Sequence, residues 1–163
     1  MSISDGILMI AGYVLAHASY SVSDLEDGEL LVPFAVVQSV NGQEVIRFEA
    51  ETQEEAISNA KYKLFDLRKR VDIYGFAREG LMRDESGKAM DVFSIDVWEK
   101  GLKNNVTIVQ PFQPNNGKGQ FYLSKNILIF IDGKEVENEQ MIDIVKEGIG
   151  HHPIGNEYTN WVR

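Results

Sequence analysis

Residues 30–50 read LLVPFAVVQSVNGQEVIRFEA, and this stretch decides the fold class. Leu30–Val40 is rich in residues that pack well on a pleated surface. Pro33 lies near its start, where a missing N–H is tolerated. Asn41-Gly42 is the pair that a type I′ two-residue turn prefers, because both positions need positive φ. Val45–Ala50 then alternates, with Ile46, Phe48 and Ala50 on one side and Arg47 and Glu49 on the other. Strands joined by so short a turn are antiparallel, since a parallel pair needs a crossover of about a dozen residues or more.

Working outward, Thr52-Gln53-Glu54-Glu55 has the form of a capping box, with Thr52 as N-cap and Glu55 three residues on. It opens a helix expected over 53–71, with Ala56, Ala60, Leu64, Leu67 and Val71 in one stripe that Ile57 and Phe65 widen. Upstream, Ser4 or Asp5 can cap a helix whose apolar positions Ile7, Leu8, Ile10, Ala11, Val14, Leu15 and Ala18 cover a wide face. Such a helix is expected to be largely covered by the rest of the domain, and the acidic turn 24–28 ends it. Downstream, Tyr74–Arg83, Met90–Glu99, Val106–Phe112, Phe121–Leu123 and Ile127–Ile131 read as strands, and Asp132-Gly133 turns the chain. By composition, 114–120 is a mobile loop. Glu137–Glu147 is expected to be helical, with Met141, Ile142, Ile144 and Val145 inward and Gly148 as its stop; a tail at 150–163 follows.

With no linker and no repeat, residues 1–163 form a single α+β domain. The expected architecture is an antiparallel sheet of about five to six strands with helices packed on it, in the order α-β-β-α-β-β-β-(β)-α.

Composition bounds the chemistry. The chain has 163 residues, of which 44% are hydrophobic and 25% charged, which excludes a disordered chain or a rod. Zero Cys removes disulfides, thiolate nucleophiles, iron–sulfur clusters and cysteine-based zinc sites. Sixteen basic against 25 acidic residues give a net charge of −9, so nucleic acid is not an expected partner. The most apolar run, Ile7–Ala18, is short of the ~20 residues that span a bilayer. Residues 1–6 carry no Lys or Arg for an export signal. No membrane association and a cytoplasmic location are therefore expected.

Motif chemistry is sparse. His151-His152 is the first place to look for a metal, but adjacent histidines chelate poorly, and a third ligand requires His17 brought in from the first helix. No cofactor is expected: there is no Walker motif and no GxGxxG, and the Gly-rich stretch 116–119 is followed by a β segment instead of a helix. No GxSxG elbow is present either. Lys61, Lys63, Arg68, Lys69 and Arg70 gather five of the sixteen positive charges near the end of one helix, where cations also favour the helix dipole. Trp98 shares the polar side of its strand with Asp96 and Ser94, so either a helix or the tail covers it or another chain does. Tyr158 and Trp161 in the tail pose the same question, because aromatic residues dominate binding hot spots.

These features point to a non-enzymatic protein-interaction module, either an acidic inhibitor of the immunity type or a homodimer. Its expected contact residues are Trp98, Asp96, Trp161 and Tyr158. The competing expectation is a small-molecule-binding protein or enzyme with a pocket between helix 53–71 and the sheet, which a deep pocket with convergent polar groups would favour.

Overall fold

Ser4 accepts a hydrogen bond from the Ile7 N–H at 3.3 Å and so caps α1 (Asp5–Ser23). The structure, a computed structural model, describes residues 3–26, 29–115 and 120–163. Most of the expected loop, and Asp27 and Gly28 of the acidic turn, lie outside the described residues. After α1 come β1 (Phe34–Ser39), β2 (Gly42–Arg47), α2 (Gln53–Leu67), β3 (Ile73–Arg83), β4 (Ala89–Glu99) and β5 (Val106–Gln113). Then follow β6 (Tyr122–Leu123), β7 (Leu128–Ile131), β8 (Lys134–Val136), α3 (Glu139–Gly150) and α4 (Gly155–Trp161).

The strands form one antiparallel sheet in the order β2-β1-β3-β4-β5-β7-β8, with β6 paired to β5. The fold is α+β, as the strand spacing implies. Its eight strands exceed the expected five to six. β6 and β7 fall on the short segments 121–123 and 127–131 that read as strands, and the strand not expected is β8, whose three residues are too few to show alternation.

Each face of the sheet is covered, and strand alternation sorts the residues between them. Phe34, Val36, Phe93, Ile95, Val97, Val106 and Ile108 meet α1, with α3 and α4 in the same layer. Ala35, Val37, Tyr74, Phe76 and Trp98 face the other way and meet Ala56, Ala60 and Leu64 of α2. Fully burying such side chains contributes roughly 1.5–3 kcal/mol each.

Four expectations need correction. The hairpin closes at Ser39 opposite Gly42, so its loop is Val40-Asn41, and only Gly42 takes positive φ (117°). The turn with positive φ at both positions is Asp132 (51°) and Gly133 (81°), between β7 and β8. Helix α2 stops at Leu67, leaving Val71 beyond it, and Phe65 is exposed where it was expected to widen the apolar stripe. Gly148 lies inside α3, which Asn138 caps by accepting from the Met141 N–H. There its missing side chain lets α3 approach the Met9 backbone of α1. The tail holds α4 and then joins the sheet, where the Arg163 N–H donates to the Leu123 carbonyl at 2.8 Å.

At 19 residues and a mean hydropathy of 1.3, α1 is long and apolar enough to cross a membrane by length and composition. In the fold it lies against the sheet and α3, with Ile7, Leu8, Val14 and Leu15 almost fully buried.

Candidate functional site

Helix α2 packs Ala56, Ala60 and Leu64 against residues of β1, β3 and β4, and the sheet continues past β4 to β5, β7 and β8. Along that face Phe76, Asp96 and Thr107 are register neighbours, and Arg78 lies opposite Ser94. Between the helix and this face is a groove of about 490 Å³, lined among others by Lys61, Phe65, Arg68, Tyr74, Arg78 and Asp96. Its far wall is Asn104 and Asn105. The Asp132 carboxylate anchors that wall, accepting from the Asn105 N–H at 2.9 Å and the Asn104 amide at 2.7 Å. These donors, the backbone one first, hold the Asp132 carboxyl below its ordinary value.

Arg68, the C-cap of α2, is held in one place. Its Nε and Nη2 donate to the Tyr74 hydroxyl at 3.1 and 2.9 Å. Its guanidinium carbon stands 5.0 Å from the centre of the Trp98 ring and 5.5 Å from that of Phe65. Trp98 in turn stacks on Tyr74 with ring centres 5.4 Å apart. Cation–π attraction contributes about 0.5–2 kcal/mol, more as the site is desolvated. Burial raises the Tyr74 hydroxyl above its ordinary pKa, against the opposing pull of Arg68.

Arg78 is the reverse case. Its side chain is half-buried, and its Nε is closed off from solvent with no hydrogen-bond partner. The ion pairs among the described residues, Arg47 with Glu49 and both Lys69 and Arg70 with Asp66, involve none of Lys61, Arg68 and Arg78. Asp96 is the one carboxylate lining the groove among the described residues, and it accepts from the Thr107 hydroxyl at 2.8 Å. The groove therefore carries more positive than negative charge within a strongly acidic chain.

The other sequence candidates are placed as follows. Trp98 is covered by Arg68 and α2 and is 9% exposed, while Asp96 lies half-buried in the groove. Trp161 sits edge-on to Phe121 at 5.6 Å on the opposite face. Tyr158 is buried and accepts from the amide of the fully buried Gln110; burial pushes its hydroxyl up to about 12.

His17 does meet His152: Nδ1 of the first and Nε2 of the second are 3.1 Å apart, with Tyr13 and Phe34 packed around the rings. His151 is exposed. The Ile154 N–H donates to His152 Nδ1 at 3.2 Å, so that nitrogen carries no proton. His152 then holds its proton on Nε2 and donates it to His17. Metal-ligating histidines usually donate their second nitrogen to an acceptor, and His152 meets a donor there instead. Among the described residues no group of three His, Cys, Asp or Glu gathers to hold a metal.

Sequence reasoning missed Arg78 and the role of Arg68. The available signal was one arginine on the inward-alternating side of Tyr74–Arg83, next to the apolar Phe76 position. Comparison with protein-family models, curated proteins and solved structures finds no match to this chain, so the residues themselves carry the functional reading.

Proposed function

We propose that this protein is a non-enzymatic binding module that engages a protein partner through α2 and the groove beside it, the partner presenting an acidic segment there. One observation carries the reading. Tyr62 and Phe65, one turn apart on α2, are 85% and 70% exposed, and beside them stand Lys61 and Arg68, unpaired with any carboxylate among the described residues. Exposed aromatic residues flanked by arginine are the composition of interaction hot spots. In a chain of net charge −9, a basic face steers an acidic segment to itself while the rest of the surface repels it. This reverses the electrostatics of an inhibitor that masks a basic target, because the aromatic anchors share the basic face.

The test places a photo-crosslinking residue at position 62 in cells, with position 20 as control, since Tyr20 is exposed on α1. Support is a heterologous protein captured from position 62 alone, through an acidic contact peptide, with capture weakened by salt. Capture of a second copy of this chain replaces the reading with self-association. Equal capture from positions 62 and 20 overturns it.

A further inference from the structure

We propose that the floor of the groove is an oxyanion subsite, in which Arg78 and Arg68 together bind a carboxylate or phosphate group. The inference rests on the same groove as the binding-module reading and adds the chemistry that the groove selects.

Three observations carry it. First, the Arg78 guanidinium is partly desolvated, with its Nε closed off and unbonded, and it forms no ion pair among the described residues. Desolvating a charge is costly unless it is paired, so an incoming anion offsets a penalty already present in the folded chain. Second, Arg68 is preorganised. Its Nε and one Nη2 hydrogen go to Tyr74 and its guanidinium carbon stands over the Trp98 ring, while Nη1 makes no hydrogen bond among the described residues. A donor fixed before binding loses little side-chain entropy when it binds. Third, the groove volume of about 490 Å³ suits a small ligand or one side-chain terminus, and Asn104 and Asn105, tied to Asp132, line it. Guanidinium groups match the planar geometry of carboxylate and phosphate. Asp96, already engaged by Thr107, sets a negative boundary that orients an asymmetric ligand.

The experiment follows the arginine Nε–H resonances of the full chain by NMR while inorganic phosphate, glutarate or a hexaglutamate peptide is added, with ionic strength held constant by chloride. The closed-off Arg78 Nε–H is the reporter. The expected result is a saturable shift at both Arg78 and Arg68 with one midpoint. That midpoint weakens at least about tenfold in Arg78→Gln and is unchanged in Tyr20→Ala, on α1 and outside the groove lining. Should Arg78→Gln fail to fold, Arg78→Lys keeps the charge without the planar fork and is expected to weaken binding by a smaller factor. Phosphate against glutarate distinguishes which oxyanion is preferred. Hexaglutamate binding that needs both Arg78 and Tyr62 identifies the partner's acidic segment as the source. Shifts that do not saturate, or that persist unchanged in the Arg78 variants, overturn the subsite. Partner capture from position 62 is read separately, so either result can fail while the other stands.

Discussion

Gly12 of α1 and Gly148 of α3 occupy one helix crossing, each lying directly on the backbone of the opposite helix. A Cβ on Gly12 would overlap the Val145 carbonyl, and one on Gly148 would overlap the Met9 carbonyl. The obstacle in both cases is backbone, which cannot rotate aside. This crossing seats α3 on α1 and thereby brings His152, just past the end of α3, to His17.

Replacing Gly148 or Gly12 by Ala is expected to destabilise the protein by about 1–3 kcal/mol, the cost of overpacking, despite alanine's better helix propensity. Gly150→Ala is the control, because a Cβ there meets nothing within 4 Å. It is expected to be neutral or stabilising by up to about 1 kcal/mol. Urea midpoints of the three variants check this, and a Gly148→Ala variant as benign as Gly150→Ala would refute the close approach.

The histidine pair makes stability depend on pH. Burial first, and then the Arg47 charge, lowers the His17 pKa; burial and then His17 lower that of His152. A folded-state pKa below the unfolded value of about 6.5 means that the unfolded chain takes up protons more readily as pH falls. The contribution is therefore complete above pH ~6.5 and is lost as pH drops through the lowered values. Unfolding curves in a pH series should show this fall in the wild type and a shallower one in His17→Gln. Equal slopes in the two proteins would remove the pair as the cause.

Arg68→Ala is expected to cost about 1–2 kcal/mol, through the lost cation–π contact and the lost cover of its aliphatic stem over Trp98. In a Trp161→Phe background, fluorescence reports Trp98 alone, and its emission should move to the red as water reaches the ring. Arg68→Lys should recover only part of the loss, because an ammonium has no plane to stack. Unmoved emission in Arg68→Ala would show that α2 alone covers the ring.

Thr52→Ala should cost about 1 kcal/mol, since the Thr52 hydroxyl accepts from the Glu55 N–H at 3.1 Å at the start of α2. Thermal midpoints of Thr52→Ala and Thr52→Ser check this, and the serine variant should restore nearly all of the loss.

How much was legible follows from the range of each interaction. The caps at Ser4 and Thr52 were readable, because a cap and its target are three residues apart. The position of the hairpin was readable too, although the Asn41-Gly42 pair pointed to the wrong turn geometry. Ser39 pairs with Gly42 through the strand register, and register answers to the buried faces of both strands as well as to the turn. Phe65 misled for a similar reason. Its spacing fits the apolar stripe of α2, but the helix rotates to place Ala56, Ala60 and Leu64 on the sheet, and Phe65 is left outside.

By itself the sequence determined what neighbours along the chain decide: the α+β order, the antiparallel pairing, the starts of α1 and α2, and the absence of thiol chemistry. Only the tertiary structure decided that Arg68 covers Trp98, that the Arg78 Nε is closed off without a hydrogen-bond partner, and that His17 meets His152 across 135 positions of chain. Caps, turns and alternation are set by hydrogen bonds and backbone angles within a few residues. The groove and the histidine pair depend on which faces pack together, and that is chosen by the summed burial of the whole core.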